Sequence, residues 1–184
     1  METSLDGRGT PAASRPALVA AAVAGDREAF GRLVEPELAA ALGACIALTR
    51  SHADASDAVQ DALLAAWQGL DRLRDPVAFP AWFRTHVARS AMRVMRRRGR
   101  VAELDPEAPG EAGELDAALH RRQLGRALDR LAADDRLLLT LRHLWGTPVG
   151  ETAALLGIPE GTVKSRTHAA LERLRAAYDA EDRR

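Results

Sequence analysis

The sequence predicts an all-α protein: two small helical domains joined by a flexible acidic linker, the second a helix-turn-helix domain. Three observations support this fold class. Apolar residues recur at steps of three and four, which places them on one face of a helix. Alanine, leucine, arginine and glutamate dominate, and no convincing run of alternating, β-branched strand sequence occurs. An acidic segment that contains proline and glycine interrupts the helical pattern near the middle of the chain.

The first domain is predicted to span residues 17–98, after an N-terminal segment, residues 1–16, that is expected to be disordered. Its apolar pattern predicts three helices, at about residues 30–46, 58–67 and 79–98, which are long enough to enclose a common core. Pro36 lies within the first of these patterns, where proline favours a kink because it removes a backbone hydrogen bond.

The predicted linker, residues 99–117, separates two weakly basic domains. Residues 101–119 carry six acids and no base, and they include prolines and glycines that oppose helix formation. The second domain is predicted to span residues 118–178, with a short tail at 179–184. Although the formal net charge is zero, the flanking blocks are each net positive, which suggests that each domain faces an anion.

The second domain has the pattern of a helix-turn-helix. We expect helices at about residues 119–131, 136–145 with Asp134 as its N-cap, 149–156, and 160–178. Gly157 marks a tight turn between the last two. The outward-facing residues among the basic and hydroxylic side chains of the final helix can contact phosphates or base edges, and a solvated charged face is the alternative explanation.

Three segments carry a resemblance to a known family. The segment from Asp54 to Trp67 resembles the polymerase-binding segment of extracytoplasmic-function (ECF) sigma factors. The segment from Ile158 to Arg166 resembles the start of their promoter-recognition helix, and the segment from Phe79 to Arg89, with the arginines that follow, resembles their segment for the minus-ten element. The first two segments occur in the order and spacing of the family, and the resemblance covers about residues 17–178.

The resemblance implies a polymerase-binding surface made of Asp54, Asp57, Gln60 and Asp61. The family docks this helix on a basic coiled coil of the clamp of the largest polymerase subunit. The spacing of the three aspartates places them along one helix face, where like charges repel until a basic partner neutralises them. From the residues alone, a solvated acidic face is the favoured explanation.

The resemblance also implies that the helix at 79–98 contacts the melted minus-ten element. Between Trp82 and Ala102 the chain has seven arginines and no acid, and such a helix attracts a phosphate backbone. Trp82 and Phe83 are expected to belong to the core. The predicted minus-ten contacts are Arg84, Arg89, Ser90, Arg93, Arg96 and Arg97.

The predicted minus-thirty-five contacts lie at the start of the last helix: Gly161, Thr162, Lys164, Ser165, Arg166 and His168. Three positions depart from the pattern of the family. Ser90 replaces a frequent asparagine, Val94 a common aspartate and Ala169 a frequent arginine. We expect these departures to alter promoter readout and to leave the fold intact, since alanine suits a helix.

The sequence gives no support for other chemistries. Its five histidines and single cysteine lack metal-ligand spacing, and it has no phosphate-binding loop or nucleophile elbow, so no metal, cofactor or enzyme activity is expected. Cys45 is expected to be a buried core thiol. No segment predicts a membrane span or signal peptide, which indicates a soluble cytoplasmic protein.

The resemblance to ECF sigma factors implies a sigma factor that directs bacterial RNA polymerase to a subset of promoters. Its expected partners are core polymerase and promoter DNA, with an anti-sigma factor as a further candidate and no small-molecule substrate. Two alternatives are a helix-turn-helix regulator that does not bind polymerase, and a helical interaction or adaptor protein with no role on DNA.

Overall fold

The computed structural model describes residues 14–98 and 115–182, and all secondary structure in these two ranges is helical. The first domain contains four α-helices, with short 3-10 turns at Leu70–Arg72 and Pro76–Ala78 between the last two. None of the helices in the described ranges is long and apolar enough to cross a membrane. The four helices are α1 (Arg15–Val23), α2 (Arg27–Thr49), α3 (His52–Gly69) and α4 (Phe79–Arg98).

The second domain contains four further helices and one turn of π-helix. The π-helical turn, Thr140–Leu144, directly continues α6, and α8 packs against α5, α6 and α7. Between α7 and α8 the chain turns at Gly157, whose φ of 67° is left-handed and suits glycine. The four helices are α5 (Leu115–Asp129), α6 (Ala133–Leu139), α7 (Val149–Leu156) and α8 (Glu160–Asp182).

Side-chain caps define where the helices of the first domain begin. The Asp26 carboxylate accepts hydrogen bonds from the backbone N–H groups of Glu28 and Ala29, at 2.9 and 3.1 Å, and starts α2. The Ser51 hydroxyl accepts from the N–H of Asp54 and starts α3. Helix α2 continues past Pro36 to Thr49, so this proline does not end the helix.

The core of the first domain forms where α4 packs against α2 and α3. Phe79 and Phe83 are fully buried and stack with ring centroids 6.0 Å apart. Helix α3 contributes four fully buried alanines, whose small side chains allow α4 to approach closely. Burial of Phe83 confirms its predicted core position, while Trp82 is only partly buried at the edge of the core. The alanines are Ala55, Ala58, Ala62 and Ala66.

Cys45 is fully buried in this core, as predicted. Burial raises the pKa of its thiol to about 12, because the thiolate would lose its hydration. The nucleophilic form is therefore scarce at neutral pH, which makes Cys45 a packing residue.

Two small apolar clusters form the core of the second domain. One combines the buried residues Leu131, Leu139 and Ala170, and the other combines Leu138, Ala153 and Val163. Helix α8 contributes Val163 and Ala170 to these clusters, and both side chains are fully buried.

The bounds of α4 and α7 agree with the predicted helices at 79–98 and 149–156, and α8 begins at the predicted residue 160, whereas the other helix ends in the second domain differ. The prediction of Asp134 as an N-cap was wrong. Helix α6 begins at Ala133, so Asp134 lies in its first turn, where the helix dipole favours a carboxylate. Helix α5 begins at Leu115, inside the predicted linker, and linker residues 99–114 lie outside the described residues.

The first and the last helix each extend into a segment that was not predicted to be helical. Helix α1 begins at Arg15, inside the segment expected to be disordered, of which residues 1–13 lie outside the described part. Helix α8 continues to Asp182, through residues that were interpreted as a tail. The reason is Glu181, whose side chain is 7% exposed and pairs with Arg126 and Arg130 of α5. These ion pairs fasten the end of α8 to α5.

Candidate protein and nucleic-acid interfaces

Helix α3 presents an acidic surface, defined by Asp54, Asp57, Gln60 and Asp61. The last three are exposed, and Asp54 is half-buried in the first turn of the helix. The opposite side of α3 is buried against α2 and α4. The structure therefore brings the four predicted residues together on one side of a well-anchored helix, where a partner can reach them.

Sequence reasoning missed an apolar residue beside this acidic surface. Leu64 is 61% exposed, and it lies three and four residues after Asp61 and Gln60, so that the three side chains are neighbours on the helix. The sequence already indicated that Leu64 is exposed, because this residue does not lie on the helix face that Val59, Ala62 and Ala66 share. An exposed leucine among carboxylates is suited to a protein partner that has both basic and apolar groups.

Helix α4 presents an arginine face, defined by the exposed residues Arg89, Arg93, Arg96 and Arg97. The helix contains no acidic residue. Arg93 approaches Asp61 of α3 at 4.0 Å, but both side chains are about half exposed, so the pair is weak. The four guanidinium groups thus remain accessible to a phosphate backbone.

Ser90, which is predicted as a minus-ten contact, does not lie on the exposed arginine face. Its side chain is fully buried, and its hydroxyl accepts a hydrogen bond of 2.7 Å from Nη2 of Arg93. In this structure Ser90 therefore orients the side chain of Arg93. Val94 is partly buried and packs against the core, so this departure also lies off the arginine face.

Arg84 differs from the other predicted minus-ten arginines because its guanidinium group is bonded to residues of other helices. Its Nε and Nη2 atoms donate to the Glu37 carboxylate at 3.1 and 3.0 Å, and Nη1 donates to the carbonyl oxygen of Trp145 at 3.4 Å. The guanidinium therefore joins α2, α4 and the second domain, and its donors are occupied within the chain.

His86 lies in the positively charged surroundings of α4, and its pKa is lowered there. It lies against Trp82, with ring centroids 4.3 Å apart. Partial burial lowers the pKa of its imidazole, and the nearby charges of Arg89 and Arg93 lower it further. The folded chain therefore favours the neutral imidazole. Sequence reasoning did not single out His86, because its proximity to Trp82 and to the two arginines depends on side-chain packing.

The first turns of α8 present the predicted recognition residues. Gly161, Lys164, Ser165, Arg166 and His168 are exposed, and Thr162 is partly exposed. Two of these side chains are already engaged. The Ser165 hydroxyl donates to the Thr162 carbonyl oxygen at 3.2 Å, and Arg166 lies 3.8 Å from the Asp134 carboxylate at the start of α6. Ala169 is partly buried.

Comparisons with known proteins assign both domains to one class. Residues 33–101 match Sigma-70 region 2, and residues 121–174 match Sigma-70 region 4. The first match contains most of α2 and all of α3 and α4, and the second contains all of α6 and α7 and most of α5 and α8. The two matches and the helical fold therefore define an RNA polymerase sigma factor with regions 2 and 4.

Individual relatives narrow this class. The ECF sigma factor SigM of Mycobacterium tuberculosis strain Erdman is 33% identical over 169 residues, which cover 88% of this chain and 83% of SigM. SigL of the same strain is 35% identical over 168 residues, which cover 86% of this chain and 94% of SigL. The chain belongs to the ECF RNA polymerase sigma factor family.

Solved structures agree with this assignment. The structure of CnrH in complex with the cytosolic domain of CnrY matches with a TM-score of 0.63 and 30% identity, over 90% of this chain and 97% of CnrH. The sigma factor RpoE of Bartonella quintana, solved in complex with the anti-sigma factor NepR, matches with a TM-score of 0.67 and 30% identity, over 82% and 96% of the two chains. The predicted family, fold class and role in promoter-specific transcription initiation are confirmed.

Proposed function

We propose that this sigma factor acts by binding alone, through three surfaces that divide the work of promoter recognition. The acidic surface of α3 docks on the basic coiled coil of the clamp in the largest polymerase subunit. The arginine face of α4 captures the opened minus-ten element, and the start of α8 reads the minus-thirty-five element as duplex DNA. Both partners belong to the bacterial cytoplasm, so this function requires the cytoplasmic location expected from the sequence.

The main support for this proposal is that acidic and basic side chains lie on separate surfaces of the first domain. Two neighbouring helices expose opposite charges: carboxylates on α3 and guanidinium groups on α4. A single polyanion would be repelled by the first surface, and a basic protein by the second. The arrangement therefore suits simultaneous binding of a basic protein and a nucleic acid. Leu64 adds apolar area to the protein-binding side.

The two nucleic-acid surfaces differ in what they can recognise. The arginine face offers exposed guanidinium groups, which hold phosphates with little dependence on sequence. The start of α8 mixes Lys164 and Arg166 with the smaller side chains of Ser165 and Thr162, and such a helix can place polar groups against base edges in the major groove. Region 4 is thus the main source of duplex sequence preference.

Polymerase docking is tested by removing two exposed carboxylates of the acidic surface. The D57A/D61A variant should bind core polymerase about 2- to 30-fold more weakly, because each exposed charge pair contributes about 0.2–1 kcal/mol. Asp54 is left in place because it lies in the capped first turn of α3. The matched control, E28A/E35A, removes two exposed acids of α2.

Affinity of labelled sigma for core polymerase and run-off transcription on a promoter library are the measurements. Circular dichroism must show equal helicity for the parent and both variants. Equal affinity of D57A/D61A and the parent would place the docking surface elsewhere.

DNA reading by α8 is tested with K164A. Loss of one phosphate contact should weaken binding to all sequences and reduce the slope of log K against log salt by about one. The control R175A removes an exposed arginine from the same helix, three turns further on, where it pairs with Glu172. If K164A and R175A change the salt slope equally, the start of α8 is not the DNA-binding end.

A further inference from the structure

Two consecutive aspartates in the first turn of α6 face two arginines of α8. Oδ2 of Asp135 accepts a hydrogen bond of 2.6 Å from Nη1 of Arg173, and Oδ2 of Asp134 lies 3.8 Å from Nη2 of Arg166. The two arginines are about two helical turns apart, so both project from the same side of α8. Helix α6 therefore meets α8 through two ion pairs, and the one at Arg166 involves a predicted minus-thirty-five contact.

The two ion pairs differ in burial and in strength. The side chain of Asp135 is 11% exposed and bonds directly to its arginine, so this pair belongs to the packing of α6 on α8. The side chain of Asp134 is 76% exposed, and its distance to Arg166 is longer than a hydrogen bond. Such an exposed pair adds little to stability, so the fold does not depend on the Asp134 carboxylate.

An open cleft of about 470 Å³ lies beside these pairs, between the start of α6 and α8. Asp134 and Arg166 both line it, and Ala132 and Ala133 leave it wide. Because Arg166 is about half exposed, its guanidinium can leave the carboxylate without displacing packed side chains. The arginine can therefore change partners while the helices stay in place.

We propose that Asp134 is a positioning residue that limits the affinity of α8 for duplex DNA: it holds the guanidinium of Arg166 in the free chain, and a DNA phosphate must take this arginine over from the carboxylate. The inference rests on the proposed function, in which Arg166 contacts the minus-thirty-five element. It adds a residue of another helix that sets the strength of this contact.

Electrostatics explains why the exchange of partners weakens binding. A phosphate that Arg166 binds at about 2.8 Å also lies within about 8 Å of the Asp134 carboxylate, which is about one Debye length at physiological salt. The carboxylate therefore repels the phosphate that its arginine binds. This repulsion acts on every DNA sequence alike, so contacts to base edges decide a larger share of the binding.

Counterions give the exchange a measurable signature. A phosphate contact normally favours binding because it releases a condensed cation from the DNA. When Arg166 leaves Asp134, the uncovered carboxylate attracts a cation in return, which offsets that release. The contact of Arg166 should therefore contribute little to the salt dependence of the parent chain, and its full contribution should appear once the Asp134 charge is removed.

The test compares D134N with E172Q in the full chain. D134N keeps the size of the side chain and removes its charge. E172Q is the matched control, because Glu172 is also exposed and also pairs with an arginine of α8, Arg175, at 3.0 Å. R166A and D134N/R166A complete a double-mutant cycle. Circular dichroism should show the helicity of the parent in all four variants, since the side chains changed are exposed or half exposed.

The measurement is fluorescence anisotropy of a labelled mixed-sequence duplex of about 30 base pairs, titrated between about 50 and 200 mM salt. D134N should bind about two- to fivefold more tightly than the parent, and the slope of log K against log salt should steepen by about one. E172Q should change both quantities much less. In the R166A background most of the gain from D134N should be lost, because the pair no longer exists.

Three results would overturn the inference. D134N that binds no better than the parent would exclude any restraint, and an equal gain in E172Q would reduce the effect to net charge. An equal gain from D134N with and without Arg166 would show that this arginine is not held. Failure of the proposed function is distinguishable, because R166A would then bind the duplex no more weakly than the parent. A weakened R166A without a gain in D134N contradicts only the role of Asp134.

Discussion

The two domains differ in how their helices form an apolar core. The first domain buries large side chains from several helices, among them Phe79, Phe83, Leu48 and Leu70, in one continuous cluster. Among the residues whose burial is described, the second domain has two clusters with three buried residues each. A small domain buries a smaller share of its surface and gains less from it. The first domain is therefore a scaffold in its own right, whereas the second depends on ion pairs and on its neighbour.

Helix α6 illustrates how the second domain distributes its apolar residues. Leu137, Leu138 and Leu139 are consecutive, and successive side chains on a helix are about 100° apart, so the three point in three directions. Leu137 packs on the first domain, Leu138 on the cluster with α7 and α8, and Leu139 on the cluster with α8 and the end of α5. A seven-residue helix thus joins three cores.

The largest effect expected from this comparison is that of F83A. The side chain is fully buried and stacked on Phe79, so its removal should lower the free energy of unfolding of the first domain by about 3–5 kcal/mol. In the second domain, L139A should cost about 2–3 kcal/mol, because fewer buried neighbours surround the cavity. Urea unfolding followed by circular dichroism measures both. If L139A lost more unfolding free energy than F83A, the second domain would have the stronger core and the comparison would be wrong.

A smaller effect is expected where an ion pair replaces apolar packing. E181A should lower the free energy of unfolding by about 1–2 kcal/mol, since Glu181 is nearly buried while Arg126 and Arg130 keep access to water. E172A is the matched control, because its pair with Arg175 is exposed and should contribute less than about 0.5 kcal/mol. Equal midpoints of thermal unfolding for the two variants would show that α8 is not fastened to α5 through Glu181.

A finer comparison concerns two serine hydroxyls on the DNA-binding helices. S90A should cost about 1 kcal/mol of stability and weaken binding of single-stranded DNA less than R93A does, because Ser90 is buried and acts through Arg93. S165A, at an exposed position of α8, should leave stability unchanged and alter only duplex binding. If S90A weakened binding of single-stranded DNA more than R93A does, a direct contact between Ser90 and DNA would be indicated.

The smallest expected effect depends on pH. Burial first, and then Arg89 and Arg93, lower the pKa of His86 in the folded chain, so the unfolded chain binds the proton more readily. His86 therefore makes the stability of the first domain fall as the pH drops below the usual histidine value of 6.5. Unfolding free energies at pH 7.5 and 5.5 should differ less in H86Q than in the parent, with the exposed H168Q as control. An unchanged difference in H86Q would exclude this contribution.

Periodicity predicted much of this molecule because it reports which side of a helix is apolar. It was sufficient for the bounds of α4 and α7, for the start of α8 and for the placement of the three aspartates along one face of α3. Periodicity does not report what covers an apolar side. Leu137, Leu141 and Trp145 were therefore not recognised as a contact between domains. Ser90 was assigned to DNA by the resemblance to the family, which does not report that its side chain is buried. The end of α8 was missed because ion pairs, which have no period, hold it.

The π-helical turn at Thr140–Leu144 makes the packing of Trp145 on the first domain sensitive to the number of residues in the turn. Its backbone bond from the N–H of Trp145 to the carbonyl oxygen of Thr140 spans five residues, one more than in an α-helix. Deleting one residue from this turn would remove the residue that the wider winding accommodates, and it would change how far apart Leu141 and Trp145 lie around the helix axis. The fit of these two side chains against the first domain therefore depends on the number of residues in the turn, and a deletion here would disturb it without changing any residue that is predicted to contact DNA or polymerase.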